Sequence, residues 1–162
     1  VDMNQTWYLE SGYWRMRLCK IQVPRPISGP ADSFMNFLET FSASFEYWLS
    51  GQDVSEENWS KIEQAFAVDS GVMLIDGQKF AGFEFPNSIF PQAGSSPGLS
   101  IEISQPEMLI INDELCVVSF VDSRRINHQT SYHDVRNTLA VVRQSSLGWK
   151  WRHLQQTSID PE

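Results

Sequence analysis

At 162 residues, with 41% hydrophobic and 12% aromatic side chains, the chain has enough apolar material for one domain with a real core and too little length for two ordinary ones. Its 20 acidic against 12 basic side chains give a formal charge of -8, which repels a phosphate backbone and argues against nucleic acid as a partner. No apolar run approaches the ~20 residues of a spanning helix, so a membrane is not an expected partner either.

Cys19 and Cys116 lie far apart, and Cys116 falls inside the apolar run LCVVSF, where a thiol serves as a small buried hydrophobe. No disulfide framework is expected. The chain opens at Val1, so a removed targeting peptide would leave no trace, and the cytoplasm is the expected compartment.

Residues 1–30 differ from the remainder. Trp7, Tyr8, Tyr13 and Trp14 flank Glu10, Ser11 and Gly12, a pattern that predicts a hairpin between short aromatic strands. The run from Val23 to Pro30 is rich in proline, which lacks the backbone donor and holds φ, so it reads as a linker. The expected division is therefore an N-terminal extension over 1–30 and a single domain over 31–162.

Asp32 or Ser33 offers an N-cap oxygen for a first helix, whose apolar face is Phe34, Phe37, Leu38, Phe41, Phe45, Trp48 and Leu49, ending near Gly51. A second helix follows Ser55, with Glu56 and Glu57 in its first turn and Trp59, Ile62, Ala65 and Phe66 as its buried stripe. VMLID predicts a strand turning at Asp76 and Gly77, after which the chain enters a loop rich in Pro, Gly and Ser between Phe85 and Gly98. LSIEIS and EMLII are short strands.

The last third then reads as three long antiparallel strands, ELCVVSFVDSRR, DVRNTLAVVRQ and GWKWRHLQQT. Such a meander, following two amphipathic helices, predicts an α+β domain in which a strongly curved, mostly antiparallel sheet wraps a cone-shaped hollow roofed by helices. Leu115, Val117 and Val121 alternate with Cys116, Val118 and Phe120, so both sheet faces need cover and two helices shield only one. The N-terminal extension or a second subunit, joined as a two-fold homodimer through the sheet face, supplies the rest.

Two helices beginning FMNFLETFSASF and SEENWSKIEQAF, the segment LIDGQKFAG, and the closing pair carrying Arg136, Thr138, Trp149 and His153 resemble the nuclear-transport-factor-2-like superfamily over about residues 32–159. That group includes ketosteroid isomerase, SnoaL-type cyclases and scytalone dehydratase. The resemblance implies a SnoaL-like cone that binds a small apolar molecule without a cofactor and, where it is an enzyme, performs isomerisation, dehydration or cyclisation by acid/base chemistry. The non-catalytic alternative is a ligand-binding or oligomerisation module on the same frame.

Asp122 is the expected base, because it shares a strand face with Cys116, Val118 and Phe120 and a carboxyl in an apolar cone is disposed to abstract protons. Its bland alternative is a solvated strand-end carboxylate capping the following turn. Arg136 and His153 match family positions that point toward the cavity, where they would hold an anionic or carbonyl-bearing ligand. Arg136 could equally be a strand partner of Glu102 or Asp134, and His153, alternating with Trp149 and Trp151, a packed histidine. Tyr132 is a further donor to a substrate oxygen. Tyr47, Trp48 and Trp59 would form the roof of the ligand site, with Phe120 on its floor. The spacing of His128, His133 and Asp134 matches no metal motif, and no nucleophile elbow or phosphate-binding glycine loop is present.

Overall fold

The structure, a computed structural model, describes residues 2–10, 13–21 and 29–159, with the backbone alone described over the first two stretches. Strands β1 (Asp2–Glu10) and β2 (Tyr13–Ile21) form an antiparallel pair that joins the sheet through Trp14–Met108 and Arg15–Glu107. The Ser11–Gly12 turn and most of the expected linker lie outside the described residues.

Helix α1 (Pro30–Ser50) starts three or four residues earlier than the expected caps Asp32 and Ser33 suggest, with Gly29 at the N-cap and Pro30 in the first turn, where its missing N–H costs nothing. Ser33, expected to cap the helix, instead accepts a hydrogen bond from the Trp149 indole at 3.0 Å. Gly51 ends the helix in the left-handed region at φ 82°. Helix α2 (Glu56–Gln64) is capped by the Ser55 hydroxyl, which accepts from the Asn58 amide at 3.2 Å. The buried Asn58 side chain donates to the Ser44 and Asp53 carbonyls and so ties α2 to α1.

Strands β3 (Val72–Ile75) and β4 (Gln78–Ala81) are joined by Asp76 and Gly77, both at positive φ, the geometry that suits the twist of a two-residue hairpin. The segment FEFPNSIFPQAG, expected as a loop or one short turn, carries a short helix α3 (Glu84–Ile89) and a 3-10 turn over Phe90–Gln92. Its two prolines do not prevent this: Pro86 and Pro91 each occupy a first turn, whose amides have no intrahelical acceptor.

The two expected strands around residue 105 are one, β5 (Leu99–Ile111), bent where Gln105 takes φ 52° ahead of Pro106 and the register slips between Ser104 and Glu107. A proline in a strand interior is tolerated at such a bulge. Strands β6 (Leu115–Ile126), β7 (Asp134–Ser145) and β8 (Gly148–Ile159) complete an eight-stranded sheet in the order β1-β2-β5-β6-β7-β8-β3-β4, antiparallel except where β3 runs parallel to β8.

The core lies between α1 and one face of this sheet. Phe34, Leu38, Phe45 and Leu49, at helical spacing along α1, are buried with Met108, Val118, Val142 and Trp151 of the strands. Trp151 is the hub: it is 1% exposed and meets the Phe37, Phe41 and Phe120 rings at centroid distances of 5.2, 5.4 and 6.3 Å. Cys116 is wholly buried in this layer, and burial pushes its thiol up to about 12, which makes it chemically inert.

Candidate functional site

The register across β6, β7 and β8 sets two rungs on the helix-facing side of the sheet, Phe120–Thr138–Gln156 and Asp122–Arg136–Ser158. Above them the core does not close. A cavity of about 540 Å³ remains, ringed by six aromatic side chains: Phe41 and Phe45 of α1, Phe80 of β4, Phe85 of α3, Phe120 of β6 and Trp151 of β8. The polar groups collect on one wall, formed by Asp122, Arg124, Arg136, Gln156 and Asp76.

Asp122 is 5% exposed, in mid-strand rather than at a turn. Arg124, two residues on and therefore on the same strand face, closes on it with two bonds: Nε donates to Oδ1 at 3.1 Å and Nη2 to Oδ2 at 3.0 Å. The Gln156 amide donates to Thr138 Oγ1 at 3.1 Å and stands 3.5 Å from Asp122 Oδ2. The Arg124 guanidinium also lies 5.7 Å from the Phe45 ring centroid, over its face. Arg136 lines the same wall while its Nε donates to Asp134 Oδ2 at 2.8 Å, so it both faces the cavity and pairs with a neighbour on its own strand.

Asp76 marks the exposed end of the polar wall. Its carboxylate accepts from the Ser158 amide at 2.7 Å and from the Ser158 hydroxyl at 3.1 Å, and these bonds, helped by Arg136 and Arg124, hold its pKa below the usual range. A lowered folded-state pKa contributes stability that is complete above the unfolded value, about 3.9, and is lost as pH falls through the folded one. Ser158→Ala is accordingly expected to move the Asp76 carboxyl titration upward, as followed by NMR on the side-chain carbon; an unmoved titration would show that the hydroxyl is irrelevant and that the Ser158 amide, which alanine keeps, holds Asp76 down.

Several expected site residues lie elsewhere. His153 does not line the cavity, because β8 carries one extra residue, Arg152, opposite the Val141–Val142 step of β7, and this bulge resets its alternation: Trp151 and Leu154 both face the hollow, and His153 turns away between them. Tyr132 donates to Glu102 Oε2 at 2.6 Å on the exposed side of the molecule, a bond that raises the phenol pKa. Trp48, Trp59 and Phe90 pack together with ring centroids 4.9 to 5.6 Å apart, bracing the helices, and the Trp48 indole donates to the Ile89 carbonyl. Tyr47 is 40% exposed on the outer face of α1.

Two members of the polar wall, Arg124 and Gln156, are absent from the residues expected at the site. Period-2 alternation carried through DSRR, the end of the expected strand ELCVVSFVDSRR, does put Arg124 on the face of Asp122. Gln156 has no such signal, since the bulge that points it inward is set by packing.

Neither a family model nor a curated protein matches this sequence. Solved structures do. A nuclear-transport-factor-2-like protein of unknown function from Pseudomonas aeruginosa superposes with a TM-score of 0.69 at 19% identity, covering 78% of this chain and 98% of that one. A cystatin-like-fold protein of unknown function from Nostoc punctiforme gives 0.61 at 13% identity, covering 79% and 90%. A candidate ketosteroid isomerase from Shewanella frigidimarina gives 0.56 at 14% identity, covering 75% and 92%. The chain therefore has the nuclear-transport-factor-2-like, cystatin-like α+β fold, and the expected architecture is the observed one.

Proposed function

We propose that this chain is a small-molecule-binding domain that takes a compact, largely apolar molecule into the cone, with one polar end of the ligand against the Asp122–Arg124–Arg136 wall. The observation that carries the reading is the aromatic-ringed hollow of about 540 Å³ left open in an otherwise packed interior. Arg136 commits only its Nε among the described residues, and its terminal amines are the donors that would meet a ligand acceptor.

The neutral fluorophore N-phenyl-1-naphthylamine tests the cavity directly. Saturable enhancement is expected with the natural chain, and Ile103→Trp, which fills the hollow from β5, is expected to weaken it at least about 10-fold, the loss of roughly 1.4 kcal/mol of binding. Enhancement unchanged by a folded Ile103→Trp variant would place the probe elsewhere and remove the proposal.

A second reading, acid/base catalysis by Asp122, is favoured by one fact: a carboxylate 5% exposed in the cavity wall. Its two bonds from Arg124 mean that a substrate would have to share or displace the arginine before a proton could move to either oxygen. For a substrate identified by mass spectrometry of co-purified material, Asp122→Asn should keep binding and abolish turnover, whereas Arg136→Ala should weaken both. Retained turnover in Asp122→Asn leaves the binding role alone. Assembly as a dimer is proposed through the outer sheet face, where Leu139 is 41% exposed beside the paired, half-buried Val117 and Val141, and light scattering on the intact chain reads it.

A further inference from the structure

We infer that a second site, on the outer face of the sheet and separate from the cone, binds a phosphate-type oxyanion. Arg143 on β7 and Lys150 on β8 stand directly opposite each other, and Arg152 follows two residues along β8 on the same face, opposite to the buried Trp149 and Trp151. With the segment 67–70 they line a depression of about 250 Å³. Like charges placed directly across a strand pair are destabilising. Yet none of these three cations belongs to an ion pair among the described residues, in a chain that carries 20 carboxylates against 12 cations. Asp69 is the one acidic side chain lining the depression, so three cations against one carboxylate leave a local excess of two positive charges.

The depression is built, not a chance gathering of long side chains. The Lys150 ammonium is pinned by donating to the Gln64 carbonyl at 2.8 Å, which leaves two of its protons for another acceptor. The facing wall is stitched to β8: the Ala67 amide donates to the Trp151 carbonyl at 3.0 Å and the Trp151 amide to the Ala65 carbonyl at 2.7 Å. Gly71 donates back to Ala67 at 2.7 Å, and a Cβ at either Gly71 or Gly82 would collide with the Ala67 carbonyl oxygen, so this segment is held in one conformation. A phosphate monoester carries about 1.5 to 2 negative charges at neutral pH and several acceptor oxygens, which matches both the charge excess and the guanidinium forks. The site recognises phosphate with side chains, and so needs no glycine-rich loop.

The test is an amide NMR titration of the isotope-labelled full chain with inorganic phosphate and with phenyl phosphate, ionic strength being held constant with sodium chloride. Saturable shifts are expected confined to 67–71, 143–145 and 150–152, and Arg143→Gln with Arg152→Gln together should weaken binding at least about 10-fold. Arg143 is exposed, so Arg143→Gln alone is tolerated by the fold and supplies the same test, with a loss of about 3-fold or more, if the double variant does not fold. Tighter binding of phenyl phosphate would support a phosphorylated small molecule as the natural occupant, and tighter binding of inorganic phosphate the free anion. Shifts that follow total ionic strength alone, or that survive Arg143→Gln undiminished, overturn the inference.

Discussion

Arg124→Ala is expected to lower the free energy of unfolding by about 3–5 kcal/mol, because it leaves the Asp122 carboxylate in the cavity wall without its counter-charge. Asp122 and Arg124 have side chains only 7% and 13% exposed and share two parallel bonds, so removing the guanidinium takes away both the charge and both donors. The remaining donor, Gln156, stands 3.5 Å away and is already committed to Thr138. Removing both charges avoids the orphan: Asp122→Leu with Arg124→Met should recover most of the loss, since an apolar pair of similar volume is often no worse than a buried ion pair. Urea unfolding of the three chains, compared at equal slope, measures this. A loss below about 1 kcal/mol for Arg124→Ala would mean that the carboxylate is solvated from the cavity, as an exposed ion pair would be.

Trp151→Ala is expected to cost about 3–5 kcal/mol, the range for truncating a large buried aromatic. Trp151 touches both layers: its ring packs on Phe37 and Phe41 from α1 and on Phe120 from the neighbouring sheet region, and its backbone anchors the chain leaving α2. Its indole N–H has no acceptor among the described residues, so the side chain holds its place by packing and not by a hydrogen bond. Trp151→Phe, which keeps an aromatic ring without that N–H, should therefore retain most of the stability, and a cost near that of alanine would show that the indole nitrogen contributes after all. The alanine variant also merges the space of the ring with the adjacent cavity, so N-phenyl-1-naphthylamine should still enter a chain that melts roughly 10 °C lower.

Much of the fold was legible because its signals are local. The α1 stripe from Phe34 to Leu49, the Ser55 cap, the Asp76–Gly77 turn and the alternation of β6 each follow from side-chain spacing or from a backbone conformation that few residues accept. The misjudged elements are those where proline or a bulge overrode the local rule. Pro86 and Pro91 lie in the segment expected as a loop, yet they stand where a helix has no use for their amides, and Pro106 falls between the two expected strands LSIEIS and EMLII, where β5 merely bends.

The candidate site divides in the same way. Asp122 and Phe120 were legible from the face they share, and Arg136 stands directly across from Asp122 in register, but His153 and Tyr132 were not placed correctly by periodicity or resemblance. A single bulge on β8 exchanges the faces of every residue beyond it, turning His153 out and Leu154 and Gln156 in. No property of WRHLQQ announces that slip.

The amino-acid order by itself determined the elements, the amphipathic faces that make them pack, and the charged turn that starts the small hairpin, because each is decided by neighbours within a few residues. Only the tertiary structure decided that the core stays open beneath α1, that Arg124 holds Asp122, and that Arg143, Lys150 and Arg152 converge on the opposite face. Those outcomes depend on strand register and on bulges, which are set by the packing of residues far apart in the chain and so leave no pattern in any one stretch of it.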